Sequence, residues 1–103
     1  MFELTFVCDS GNLLTDPCTK LPVVIVGRNF PEKIDINKVK MRQIQYKTIS
    51  GIGVMSVISP KEIRVFVHGK WQKVNAVIGI NENIGEAMAG ADGIIPTRLI
   101  ENL

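Results

Sequence analysis

The sequence is poor in cysteine, in long apolar runs and in net charge, and each shortage removes a class of protein. Two cysteines in 103 residues, Cys8 and Cys18, are too few for the disulfide lattice of a small secreted domain. They cannot complete a zinc site without histidine or carboxylate help. Both are expected to be reduced thiols in a cytoplasmic compartment. No apolar run approaches the roughly 20 residues that cross a bilayer, and Met1-Phe2-Glu3 has neither the basic start nor the cleavage pattern of a signal peptide. The chain itself is therefore expected to be soluble. A net charge of +2 is too small an excess to argue for a nucleic-acid partner. Six of the twelve lysines and arginines gather between Arg28 and Lys47, opposed by Glu32 and Asp35. A solvated loop face is the plainer reading of that cluster; a surface for an acidic partner segment is the sharper one.

What the chain does have is hydrophobic residues, 46% against 21% charged, which makes it one globular domain able to fold on a single core. Glu3 to Val7, Pro22 to Gly27, Gln43 to Lys47, Val57-Ile58, Ile63 to Val67 and Val74 to Ile80 are short β-branched or alternating runs. Turn residues separate them: Ser59-Pro60-Lys61, and His68-Gly69-Lys70. Residues 29–42 are polar and predict a long connection with one helical turn at most. Thr48-Ile49-Ser50-Gly51-Ile52-Gly53-Val54-Met55 predicts a hairpin with a pliable, glycine-bearing tip. Residues 82–91 are ambiguous between a short helix and a loop. Pro96 suits the start of a terminal helix. Many short strands with frequent turns predict an all-β barrel.

Chemistry concentrates at one place. The apolar strand Leu4-Thr5-Phe6-Val7 runs into Cys8-Asp9-Ser10-Gly11-Asn12, which sets a carboxylate at the tip of a glycine-permitted turn. Asp-Ser-Gly is also an ordinary turn, so the motif by itself leaves a structural role open. Asp16 before Pro17 and Asp92 before Gly93 are the other aspartates in marked positions, but no strand of the same pattern precedes Asp92. Cys8 with His68 as a nucleophile and base is a further possibility, with nothing in the sequence to bring the two together. His68 reads as an exposed turn residue and Trp71 as a core or rim aromatic.

The order of elements resembles the retroviral-type aspartic peptidases, or retropepsins. A strand enters Asp9-Ser10-Gly11, a glycine-rich hairpin follows mid-chain, and Ile94-Ile95 precedes a terminal helix. Two departures stand out: Pro96 where that family usually has glycine, and few residues before Asp9 or after Ile100. A closer likeness rests on Asp9-Ser10-Gly11-Asn12-x-Leu14-x-Asp16-Pro17, Pro22-Val23-Val24-Ile25, Arg42-x-Ile44-x-Tyr46 and Ile95-Pro96. These stretches resemble the protease domain of the sporulation sigma-E factor processing peptidases along nearly the whole chain, with Gln45 where proline is expected.

The resemblance implies an all-β, retropepsin-like closed barrel half-site with a short C-terminal helix, working as a twofold homodimer. Asp9 would be catalytic, paired with its own copy. Ser10 would brace the two turns across the axis, and Gly11 would permit the turn. Ile49, Ser50, Gly51, Ile52 and Gly53 would form a flap over an extended peptide, with Ile94 and Ile95 packed behind the active-site turn. No metal or cofactor is implied. The implied substrate is a sigma factor precursor, cut at the cytoplasmic, mother-cell face of the sporulation septum, with a membrane domain elsewhere in the protein and an activating signalling protein acting through it. The alternative from another class is a β-barrel interaction module that never assembles a working pair of carboxylates, for which Pro96 and the short termini speak.

Overall fold

The computed structural model describes residues 4–9, 14–27, 40–81, 91–101 and 103. They form eight strands and a terminal helical turn: β1 (Phe6–Asp9), β2 (Val23–Val26), β3 (Met41–Thr48), β4 (Gly51–Ile58), β5 (Ile63–Val67), β6 (Lys70–Val74), β7 (Val77–Ile80), β8 (Gly93–Pro96) and α1 (Thr97–Ile100). Six strands make one mixed sheet in the order β1-β8-β2-β7-β4-β3, while β5 and β6 form a separate antiparallel hairpin.

The mostly β class is as expected, but the sheet is open. Among the described residues β1 and β3 are its two edges, and no ladder joins them into a barrel. β8 lies between β1, to which it is parallel, and β2, to which it is antiparallel. β2 in turn runs parallel to β7. The chain thus inserts its last strand beside its first, at a sequence separation that only tertiary packing can fix.

The sequence periodicities explain which strands lie deepest. Val23, Val26, Val57 and Val77 are fully buried, and they come from the apolar runs of β2, β4 and β7, three of the four interior strands. One cluster joins Val23, Ile44, Met55, Val57 and Val77; a second joins Val24, Ala76 and Ile95, with Leu99 and Ile100 of α1 packed against it. Burying each of these valines contributes about 1.5–2 kcal/mol relative to exposure, which outweighs the weak local preference of any single four-residue strand.

Several boundaries move from the sequence expectation. The single strand predicted over Val74 to Ile80 is two strands, broken at Asn75-Ala76. Lys70-Trp71-Gln72-Lys73 is too polar to announce a strand, yet it pairs residue for residue with β5. His68 and Gly69 turn that hairpin with φ of 55° and 79°, and His68 is exposed. Met41 and Arg42, assigned to the long connection, begin β3. Pro96 ends β8 and caps α1 with φ −62° and ψ 131°, a conformation proline's ring favours. The expectations over residues 29–39 and 82–90 lie outside the described residues.

Gly93 has a specific packing reason. A Cβ there would collide with the Ile25 carbonyl oxygen and lie 2.6 Å from Phe6 Cε1, so β8 could no longer sit between β1 and β2 unshifted. Gly93→Ala is expected to destabilise the fold by about 2 kcal/mol, read as a lower midpoint in urea unfolding; an unchanged midpoint would show that β8 is not held this tightly.

Candidate active site

Asp9 is the last residue of β1 and stands opposite Pro96 in the parallel ladder, half-buried. The strand therefore carries the carboxylate itself, two residues further than the predicted strand end at Val7. Ser10 and Gly11 lie outside the described residues. Ile95 pairs with Cys8 and Ile94 with Val7, so the strand bearing both isoleucines runs directly alongside β1. Ile95 is buried against Val24 and Ala76, and Ile94 is half-buried and also faces Ile25 in the ladder to β2.

The hairpin expected over residues 48–55 is formed by β3 and β4, with Ile49 and Ser50 at its turn and Gly51 at φ 137°, where a side chain would be strained. Ile49, Ile52 and Val54 are exposed apolar side chains near its tip. Gly53 does something other than loosen the turn. It is opposite Tyr46 in the ladder, and a Cβ on Gly53 would collide with the Tyr46 ring. The glycine leaves room for the ring to lie over its backbone. Within one chain, Asp9 and this hairpin belong to opposite edges of the sheet.

The other described aspartates have separate tasks. Asp92 lies at the start of β8: its carboxylate accepts from the Thr5 N–H at 2.8 Å and its own N–H donates to the Thr5 carbonyl at 2.7 Å. Because β1 and β8 are parallel, Asp92 marks the opposite end of the strand pair from Asp9, about 13 Å away along the strands at 3.3 Å per residue. Asp16 is the buried charged side chain among the described residues. Arg42 grips it bidentately, Nη1 donating to Oδ1 at 3.2 Å and Nη2 to Oδ2 at 2.5 Å. The Thr19 hydroxyl donates to Oδ2 at 2.7 Å and the Cys18 N–H to Oδ1 at 3.1 Å. The Arg42 guanidinium, aided by the Thr19 hydroxyl and the Cys18 N–H, holds the Asp16 carboxyl well below the usual carboxylate range, against burial, which pushes it up. A carboxylate so held stays ionised and cannot act as a proton donor near neutrality.

Arg42 was placed by composition in a solvated basic cluster; its guanidinium is instead committed to Asp16 and to Ser59 Oγ at 3.2 Å. Asp16 and Arg42 were visible in the sequence only as parts of a pattern. Aspartate before proline with threonine three residues on, and one arginine on a half-apolar strand, were the available signals. Arg98 was missed altogether: from α1 it donates through Nη2 to the Leu14 carbonyl at 2.9 Å and to Thr15 Oγ1 at 3.1 Å. Cys8 and Cys18 are free and exposed. Cys8 is on β1 of the main sheet and His68 at the turn of the separate hairpin. Trp71 is exposed and packs against Phe66 with ring centroids 5.3 Å apart and the ring planes tilted by 57°. No three His, Cys, Asp or Glu side chains among the described residues are grouped to hold a metal, and no described helix is long and apolar enough to cross a membrane.

Fold and site together define a small, mostly β domain that presents one aspartate at the end of an edge strand. The family described as sporulation factor SpoIIGA matches residues 2–84, and the chain belongs to that family. The match takes in Asp9, Asp16, Arg42 and the β3–β4 hairpin, while β8 and α1 follow it. A relative in Clostridium acetobutylicum, named as a probable sporulation sigma-E factor-processing peptidase, is 25% identical over 76 residues. Those residues are 73% of this chain and 29% of the relative, so the chain spans under a third of the curated relative it matches.

The grip on Asp16 sets a pH dependence. Its folded-state pKa lies below the ordinary 3.8, so its stabilisation is fully present above about pH 4 and is lost as pH falls below that. Arg42→Ala is expected to cost about 3 kcal/mol at pH 7, the low end for a broken buried pair because Arg42 is itself one-third exposed. Urea unfolding across pH 2–7 checks both: the gap between wild type and Arg42→Ala should narrow as the pH drops below 4.

Proposed function

We propose that the chain is the catalytic half-site of an aspartic endopeptidase that removes the pro-sequence of a sporulation sigma factor precursor. The observation that carries this reading is that Asp9 closes a strand in a family with a named peptidase member. Asp16 is locked to Arg42, and Asp92 stands at the far end of the β1–β8 pair. Hydrolysis by this route needs two carboxylates at one water. The second is supplied by Asp9 of another copy across a twofold axis, an isologous arrangement in which each chain gives the same residue.

Two aspartates about 3 Å apart share one proton, because both cannot ionise side by side. The ionised member takes a proton from the water, whose oxygen bonds to the scissile carbonyl carbon. The protonated member gives its proton to the carbonyl oxygen. The resulting gem-diol collapses as the C–N bond breaks: the protonated member gives its proton to the amine nitrogen while the ionised member takes one from a gem-diol hydroxyl, which regenerates the shared-proton pair. Ser10 would brace the two turns and Gly11 permit them. The β3–β4 hairpin, with Ile49 and Ile52 exposed near its tip, would lie over an extended peptide as a flap. The site needs neither metal nor cofactor. In the full protein the domain would work at the cytoplasmic face of the sporulation septum, on the mother-cell side, under an activating partner that signals through a membrane domain.

The test is co-expression of the full-length protein with a sigma factor precursor, following its shortening. Asp9→Ala and Asp9→Asn are expected to abolish processing while leaving the fold and its melting temperature unchanged. Processing that persists in either variant would sink the carboxylate-pair reading; persistence together with sensitivity to thiol alkylation would point to Cys8. Mixing equal amounts of wild type and Asp9→Ala within one dimer pool should leave about one quarter of the dimers active.

A further inference from the structure

We infer that the outer face of the β5–β6 hairpin docks onto an anionic phospholipid surface. Trp71 and Phe66 enter the headgroup layer, and Lys70 and Lys73 beside them meet the lipid phosphates. This stands apart from the catalytic reading of Asp9. The two strands pair in register, so Ile63, Val65 and Val67 alternate with Arg64 and Phe66, and Gln72 and Val74 alternate with Trp71 and Lys73. One face turns inward: Val74 is buried, and Ile63 and Val65 pack against the cluster of Val24, Ala76 and Ile95. Gln72, the polar residue of that face, donates through Nε2 to the Val67 carbonyl at 3.2 Å. Folding accounts for the inner face.

Folding does not account for the outer one. Phe66 and Trp71 stand opposite each other there, 62% and 52% exposed, with ring centroids 5.3 Å apart. A cross-strand aromatic pair supports a hairpin, but this pair leaves more than half of its surface in water. A single exposed apolar side chain is ordinary, whereas two adjoining aromatic rings make a patch. Cations surround it. Arg64 and Lys73 form the neighbouring outward pair, Lys70 precedes Trp71, Lys61 lies just before β5, and all four are exposed. Glu62 is the one acid in residues 61–74, and it accepts from Arg64 Nε at 3.2 Å and Nη2 at 3.3 Å. With four cations against that acid, the stretch is more positive than the whole chain at +2.

This chemistry favours a bilayer surface over a protein partner. Tryptophan suits the layer between acyl chains and water, where its apolar body is buried and its N–H stays wet. Lysine stems lie along apolar surface while their ammonium groups reach outward, and each cation near an anionic leaflet strengthens binding roughly fivefold. Protein interfaces are depleted in lysine at their centres, yet lysines stand on both sides of this aromatic pair. The attachment is peripheral and weakened by salt.

Trp71 is the single tryptophan of the chain, so its fluorescence reports on this face directly. The 103-residue chain is titrated with vesicles of phosphatidylcholine alone and of phosphatidylcholine and phosphatidylglycerol in equal parts. Only the anionic vesicles are expected to shift Trp71 emission to the blue and shield it from acrylamide, and added salt should reverse both. Brominated acyl chains in those vesicles should quench it. Lys70→Glu/Lys73→Glu is expected to weaken partitioning at least tenfold with an unchanged melting temperature, and Lys70→Gln/Lys73→Gln should fall between. No response to anionic vesicles overturns the inference, as does an equal response to neutral ones. Partitioning of the charge-reversed variant within twofold of wild type also overturns it. A Trp71 shift with soluble polyglutamate while vesicles stay silent assigns the face to an acidic polypeptide and overturns the lipid reading. Asp9→Ala is expected to partition like wild type, so failure of either reading leaves the other standing.

Discussion

The ion pair between Asp16 and Arg42 is the constraint on which the rest of the domain depends. It is the one place where a charge is taken fully out of water among the described residues, and every lone pair it exposes is matched. The loop that follows the Asp9 turn wraps its own aspartate: Cys18 and Thr19 donate to the carboxylate, while the Lys20 N–H donates to the Asp16 carbonyl at 2.8 Å. Arg42 then fastens that loop to the first strand of the hairpin, 26 residues later in the chain. A buried pair of this kind adds little net stability over a well-packed apolar substitute, since desolvation offsets most of the attraction. Its value is positional. A valine pair would fill the space without dictating which strand the loop must touch.

The two arginines grip consecutive stretches of one segment. Arg98 holds Leu14 and Thr15 from the C-terminal helical turn, and Arg42 holds Asp16 from β3. The segment is thereby fixed at both ends without a disulfide and with little apolar burial of its own. Leu14 is half-buried against the cluster of Val23, Ile44 and Met55. Small sheets made of four-residue strands have few ladder bonds to define register, so directional polar contacts carry an unusual share of the specification. This reasoning also accounts for the commitment of Arg42, which composition alone had assigned to a basic, solvated face.

Local chemistry made a good part of this fold legible. Pro22-Val23-Val24-Ile25-Val26-Gly27 announces a buried strand because β-branched residues bounded by proline and glycine have few alternatives, and β2 occupies it. Ile63 to Val67 is read equally well. The hairpin followed from its glycines, although Gly53 proved to be a seat for the Tyr46 ring rather than a source of slack. What failed to show was whatever depends on partners distant in sequence. Lys70 to Lys73 is polar because one face of β6 is exposed, so its strand character appears only once β5 is beside it. Barrel closure was inferred from strand spacing, which cannot distinguish an open sheet with a detached hairpin from a closed one. The place of Asp9 at a strand end was legible because an apolar run into Asp-Ser-Gly is a local pattern. Arg98 was not, because its acceptors are a backbone carbonyl and a hydroxyl more than 80 residues away.

Pro96 shows how one residue can satisfy two demands that seemed to conflict. Retropepsin-like chains usually place glycine after the apolar pair, and a proline there looked like a reason to doubt the site. Its backbone, at φ −62° and ψ 131°, lies in the region that proline's ring favours, so nothing at this position calls for glycine's freedom. Proline has no N–H and so cannot extend the ladder as a donor, which ends β8 level with Asp9. The fixed φ also suits the residue that leads into a helix, and α1 begins at Thr97. The departure from the expected residue therefore fixes where β8 ends and where α1 begins.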